Sequence, residues 1–255
     1  MAKLLTLNFR SQVLKPDARG RDYWEPANAV RSLPADKVLI LVCDMWDDHR
    51  LTGACQRVGE MAPRMNRVLK AARAGGAHIV HGPNDCMDFY AGTPARQRMI
   101  DAPHVQPPRP IEHDDPPLPT DHSVTASDTV SIDRKLFDRH PWTRQHAAIE
   151  IDQARDGVSV SGSEICNYMR QHGVEQYIIM GVHTNACILH RTFGVKQMVR
   201  WGVPTALVRD LTDATYSPRR PPYVSQAEGT RLIVEFIEKF WCPTIDSADL
   251  TSESR

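Results

Sequence analysis

The chain has 255 residues, with 31 Lys and Arg balancing 31 Asp and Glu, and 41% of its residues are apolar. A formal net charge of zero offers no basic surface for nucleic acid, no apolar run approaches the roughly 20 residues of a membrane span, and the opening MAKLLTLNFRSQ turns polar too soon for a signal peptide. The six cysteines, Cys43, Cys55, Cys86, Cys166, Cys187 and Cys242, are scattered without a CxxC pair, which reads as free thiols in a reducing, cytoplasmic setting.

In chain order, Leu5-Thr6-Leu7-Asn8-Phe9 alternates as an edge strand does, and the polar stretch 17–26 reads as an ordered loop. Residues 1–35 form an N-terminal extension of one domain spanning 1–255. Val38-Leu39-Ile40-Leu41-Val42-Cys43 is a continuous β-rich run, expected at the centre of a parallel sheet. It ends at Asp44, with Trp46 and His49 just beyond. Ligands of open parallel sheets bind beyond the carboxyl ends of the strands. Asp44 is therefore a carboxylate delivered to where chemistry would occur, although Asp also favours caps and turns. Residues 58–75 carry one apolar stripe, and the regular helix is expected to begin near Pro63. Residues 77–81 form the next strand, ending in His81. A short helix within 85–99, broken by Gly92 and Pro94, carries Tyr90. Trp46, His49, His81 and Tyr90 are candidate substrate-binding side chains.

Residues 101–128 hold seven prolines. A loop of this length inside a domain is usually functional, and it reads as a lid or an oligomer arm over the carboxyl end of the sheet. Strands are expected at 129–132 and 147–151, a loop at 152–161, and a helix at 163–171. Tyr177-Ile178-Ile179-Met180 is a second doubly buried strand, closed by Gly181. Helical spacing follows, with Ile188, Leu189, Phe193 and Val195 apolar and Arg191, Lys196 and Arg200 polar. A strand at 204–208 and an amphipathic helix at 223–240 complete an alternation of β and α. That alternation predicts a three-layer α/β/α, Rossmann-like fold with a central, mainly parallel sheet.

Cys187 falls in the first turn of the helix after the second buried strand. A thiol there meets free backbone N–H groups and the positive end of the helix dipole, both of which favour thiolate. The same N–H groups could hold an oxyanion. A buried, inert cysteine fits the same spacing.

Three segments together resemble the isochorismatase-like cysteine hydrolase superfamily, which includes nicotinamidases. They are a buried strand ending in aspartate (Val42-Cys43-Asp44), the turn Met180-Gly-Val-His-Thr-Asn-Ala-Cys187, and the later strand Val208-Arg-Asp210-Leu-Thr-Asp213-Ala. The resemblance implies an aspartate–lysine–cysteine triad. It also implies a cis peptide at Val182–His183 that aims the N–H groups of Ala186 and Cys187 at one point, with His183 lining the pocket. Asp44 would act as general base and Cys187 as nucleophile, cleaving a C–N bond of a small amide-like substrate through a thioester. The family's lysine normally ends the strand expected at 147–151, yet that segment reads Ile149-Glu-Ile-Asp-Gln-Ala-Arg155-Asp-Gly. Arg155 is the nearest cation, and Lys135 lies one segment earlier. Arginine cannot shuttle protons and would only fix charge and orientation.

Nicotinamidases bind a divalent metal through aspartate and histidine. His49, His81, Asp85, His113 and His122 are available here without a tight ligand spacing, so no cofactor or metal is expected. Isochorismatases proper cleave a vinyl ether, and siderophore-type members work without the cysteine, so Cys187 argues for C–N chemistry. The competing class is a non-catalytic, ligand-binding relative, supported by the missing lysine. The family also implies a homodimer or homotetramer, with the segment 236–242 and the proline-rich arm as contact surfaces. A small-molecule substrate is the expected partner, with neither nucleic acid nor membrane.

Overall fold

Residues 38–43 are apolar and β-rich, and in the computed structural model, which describes residues 3–121 and 141–251, they form a strand buried on both faces (β3, Val38–Cys43). β4 (His78–Gly82) and β6 (Gln176–Val182) pair with it in parallel on either side. The register sets Cys43 opposite both Gly82 and Gly181, so three strands end at one level. The next residues along each strand, Asp44, Pro83-Asn84 and Val182-His183, therefore emerge together at the carboxyl end.

The other strands are β1 (Leu4–Pro16), β2 (Asp22–Pro34), β5 (Gly157–Val158), β7 (Thr205–Asp213) and β8 (Thr244–Ile245). They complete one eight-stranded sheet in the order β2-β1-β8-β7-β6-β3-β4-β5. β1 is antiparallel to its neighbours, and the rest are parallel. Alternate side chains of a strand face opposite layers. Ile40, Val42, Ile178 and Met180 pack against α1 (Thr52–Gly75) through Val58, Met65 and Leu69. Leu39, Leu41, Tyr177 and Ile179 pack on the other side, against α3 (Gly162–His172), α4 (Cys187–His190), α5 (Val195–Arg200) and α6 (Gln226–Phe240). Full burial of each such aliphatic side chain contributes about 1.5–3 kcal/mol, which is why the two doubly buried runs anchor the fold. α2 (Pro94–Ile100) begins with its proline at the first turn, where no N–H is needed.

The structure departs from the sequence expectations at five places. Only 17–21 of the stretch 17–26 is loop: β2 starts at Asp22 and pairs along the whole of β1. The Asp17 carboxylate caps the tight turn, accepting from the N–H groups of Arg19 and Arg21. Of this hairpin Leu5, Leu7 and Leu33 are buried in the core and Phe9 packs against it, so the stretch after Phe9 carries no apolar alternation to read.

The first long helix starts at Thr52 and contains Pro63 in its interior. Ala54, Val58 and Ala62 bury the turns before the proline, and that packing offsets the lost backbone bond.

Residues 147–151 are turn and irregular backbone, and the strand is β5 instead. Ile149 fills the core beside α1 without joining the sheet. The strand expected at 129–132 lies outside the described residues.

The helix after β6 is split into α4 and α5 at residues 191–194. The described part of the proline-rich segment, 101–121, is irregular and pinned to α3 and α5. The Val105 N–H donates to Asn167, the Ile111 N–H to the Arg200 carbonyl, and Lys196 pairs with Asp115. Phe236, Ile237, Trp241 and Cys242 are buried within the chain, so the 236–242 segment presents no free apolar face. No helix among the described residues is long and apolar enough to cross a membrane.

Candidate active site

β3 delivers Asp44 with a left-handed backbone (φ 48°) and a side chain that is 0% exposed. One carboxylate oxygen, Oδ1, accepts from both the backbone N–H and the side-chain amide of Asn84, each at 2.9 Å. The other, Oδ2, accepts from Arg191 Nε at 3.1 Å. The Cys187 thiol and the same carboxylate lie close enough that each shifts the titration of the other. Two residues far apart in sequence thus meet at the carboxyl ends of β3 and β6.

Electrostatics follow from this burial. Loss of water raises the Asp44 carboxyl above the usual range, and the Arg191 charge and the bonds from Cys187 and Asn84 hold that rise back. Burial, reinforced by the Asp44 charge, pushes the Cys187 thiol up to about 12, against the opposing pull of Arg191 and a backbone bond from His183. The expected helix-dipole activation of the thiol is not seen. α4 is only four residues long, and an anion sits beside the sulfur. At rest the sulfur holds its proton.

The turn before Cys187 contains the cis peptide Val182–His183. Of the two N–H groups that the resemblance aims at an oxyanion, Ala186's closes onto the His183 carbonyl at 2.9 Å. The Cys187 N–H has no acceptor among the described residues.

An aromatic wall stands over the thiol. Trp46 stacks on Trp142 with centroids 4.5 Å apart, and its Nε1–H donates to the Asn84 carbonyl at 2.9 Å. His49 stacks on Trp142 at 5.5 Å and meets His183 edge-on at 4.9 Å. Cys187 packs against the cluster of Trp46, Trp142, Cys86 and Tyr90. Burial, helped by the Arg50 charge, takes His49 down to about 4, and burial first, then His49 and Arg57, takes His183 well below its ordinary value. Both rings are neutral at pH 7. His183 Nε2 is buried without a hydrogen-bond partner.

Asp44, Cys187, Trp46, His49, His183 and Ala186 are therefore brought together, with Tyr90 behind the wall, where its hydroxyl accepts from the Gln145 N–H. His81 is not brought to the pocket. It is fully buried, with one ring nitrogen on Gln145 and the other on Asp156. Arg155 is not at the site either: it pairs with Asp152 and reaches the Arg73 carbonyl. Lys135 and His122 lie outside the described residues. His113 stacks on Trp241. Among the described residues no three His, Cys, Asp or Glu side chains are grouped to hold a metal ion. Sequence reading missed Asn84, Trp142 and Arg191. Of these only Arg191 carried a signal, its i,i+4 spacing from Cys187.

A family model for the isochorismatase domain matches residues 38–220. By structure the chain is similar to a cysteine hydrolase from Pseudomonas syringae pv. phaseolicola 1448A, at 18% identity and TM-score 0.51, covering 86% of this chain and 92% of that one. It is also similar to a Burkholderia xenovorans LB400 protein assigned to the isochorismatases, at 12% identity and TM-score 0.51, covering 85% and 86%. A sequence search among curated proteins found no match. At these identities the structural likeness speaks for the fold.

Proposed function

Because this chain belongs to the isochorismatase family, we infer that it is a cysteine hydrolase that cleaves a C–N bond of a small amide-like molecule. The observation that carries this reading is the convergence of the Cys187 thiol and the buried Asp44 carboxylate at the carboxyl ends of β3 and β6, close enough to shift each other's titration. A thiol with its proton acceptor already in place needs no resting thiolate.

Asp44 takes the thiol proton as sulfur attacks the carbonyl carbon, forming a C–S bond and an oxyanion. The Cys187 N–H is the nearest backbone donor for that oxygen. Collapse breaks the C–N bond, and Asp44 returns its proton to the departing amine. A water then attacks the thioester with Asp44 again accepting a proton. The C–S bond breaks, the acid leaves, and sulfur recovers its proton. A carboxyl raised by burial suits both directions of transfer. The stacked indoles of Trp46 and Trp142 and two uncharged imidazoles suit a planar, uncharged group beside the reacting carbonyl. The non-catalytic alternative rested on the missing lysine, and a guanidinium beside Asp44 weakens that support.

The test is a screen of small amides, ureas and ring imides for ammonia or amine release, followed by Cys187→Ala on any substrate found. Loss of turnover by about 10⁶-fold, as removal of a nucleophile produces in a serine-protease triad, with an unchanged circular dichroism spectrum, supports the reading. Near-normal turnover in purified Cys187→Ala refutes it.

A further inference from the structure

Nothing in the segment where the family's lysine is expected reaches Asp44. Arg155 is tied to Asp152, and Asp156 points inward to Arg73. A cation nevertheless sits on the carboxylate, and it comes from the residue just past the nucleophile's own short helix. We propose that Arg191, four residues after Cys187, is the resident cation of the catalytic group, taking the electrostatic part of the lysine's role and leaving all proton transfer to Asp44. This rests on the reading of Cys187 as nucleophile.

The placement is built by the fold. α4 ends at His190, and Arg191 adopts an extended backbone (φ −62°, ψ 159°), which takes its side chain off the helix surface. The next residue is clamped: Thr192 Oγ1 donates to the Val160 carbonyl and accepts from the Gly162 N–H. A Cβ at Gly162 would run into the Thr192 carbonyl, so the start of α3 can lie this close only as glycine. Gly194 also lies close to the backbone of Ile188 and Leu189, 2.8–2.9 Å from its missing Cβ. Clamped on both sides, Arg191 spans two carboxylates, with Nε 3.1 Å from Asp44 and Nη2 3.6 Å from Asp85. Its side chain is 30% exposed, so one edge of the guanidinium faces the Asp44 carboxylate while part of it stays open to solvent.

The chemistry separates this arrangement from a lysine-bearing one. A guanidinium keeps its proton at every accessible pH, so it fixes charge without relaying protons. Its charge favours the ionised carboxylate and opposes the rise of the thiol. Removing it takes away the largest effect that opposes burial at Asp44. Asp44 then holds its proton to higher pH than in wild type, and over that added range the thiol has no ionised acceptor.

Iodoacetamide alkylation of Cys187, followed by mass spectrometry of its peptide across pH, reads this without a known substrate. In Arg191→Ala the acid limb is expected to move up by about one pH unit, with about tenfold slower labelling below it. Millimolar guanidinium chloride should restore the wild-type limb, whereas sodium chloride should not. Arg191→Lys, which keeps the charge and covers the case in which alanine does not fold, should shift the limb less. Arg155→Met should label as wild type does. An unshifted limb in both Arg191 variants, with wild-type Cys187 labelling selectively, overturns the assignment and leaves the proposed function standing. So does a shift produced by Lys135→Met and not by Arg191→Ala. A wild-type Cys187 that labels no faster than the buried thiols, together with full turnover in Cys187→Ala, overturns both.

Discussion

Arg73 and Asp156 form a two-pronged ion pair, Nε to Oδ1 at 2.8 Å and Nη2 to Oδ2 at 2.6 Å, with side chains only 3% and 1% exposed. The same carboxylate contacts His81 and accepts from the Asp152 N–H, and His81 passes the chain of contacts on to Gln145. Removing one partner strands the other charge in the interior. Asp156→Ala is expected to cost about 3–5 kcal/mol of stability, measured by urea unfolding. Burial by itself would raise the Asp156 carboxyl, but its bonds to His81 and Arg73 outweigh that and hold it below the usual range. A carboxyl depressed in the fold stabilises above its unfolded pKa and loses that contribution as pH falls through the folded one. The gap between wild type and Asp156→Asn should therefore narrow in acid, below the ordinary carboxylate range. A gap independent of pH contradicts this account.

Asp44 has the opposite sign. Its carboxyl is raised in the fold, so its contribution to stability is complete below the unfolded pKa and is lost as pH rises through the folded value. Relative to Asp44→Asn, wild type should lose stability as pH rises above the ordinary carboxylate range. The same substitution removes the largest charge effect raising the Cys187 thiol. The thiol should then titrate below its present value of about 12, followed by ultraviolet thiolate absorbance. Turnover should vanish even so. More thiolate with no catalysis identifies Asp44 as the proton carrier. A thiol unmoved, or retained turnover, argues against that role.

What sequence reading reached, and what it did not, divides along burial. Val38–Cys43 and the run 177–180 were legible because strands covered on both faces must be apolar throughout, and those two strands place Asp44 and Cys187. The hairpin of β1 and β2 was half hidden because most of it faces solvent. β5 has only two residues, too few for any period. Arg191 reads as the polar side of a continuous helix, since the i,i+3/i,i+4 pattern runs across the break. That break comes from the close approach of Gly162 to Thr192, a tertiary contact with no local signature. Trp142 sits in irregular backbone, where no periodicity assigns a face.

Gly181 joins the strand register to the turn that carries the nucleophile. Its φ is +110°, and a Cβ there would collide with the Cys43 carbonyl on the neighbouring strand. Gly181→Ala is expected to cost about 1–3 kcal/mol for backbone strain and a similar amount for the overlap, and to push apart the strand ends that hold Asp44 and His183. Gly202 is the control. It is also left-handed (φ +70°), but nothing lies within 4 Å of its missing Cβ. Gly202→Ala should cost only about 1 kcal/mol. Equal losses in thermal unfolding would mean that the overlap at Gly181 relaxes freely.

Trp46 and Trp142 share a stack but should fail in different ways. Trp46 is tied by its indole N–H to the carbonyl of Asn84, and Asn84 supplies both hydrogen bonds to Asp44 Oδ1. Trp46→Phe keeps a ring in the wall and removes that tie, which is worth about 0.5–1.5 kcal/mol in stability. Its kinetic effect should fall on kcat, because the carboxylate loses the group that orients it. Trp142 offers its ring to Trp46 and His49. Trp142→Ala removes surface that a planar substrate would cover, so its effect should fall on KM. Steady-state kinetics on whichever amide the screen returns will separate the two. If Trp46→Phe alters KM alone while Trp142→Ala alters kcat alone, then the tie through Asn84 does not orient Asp44, and the indole wall does not face the substrate.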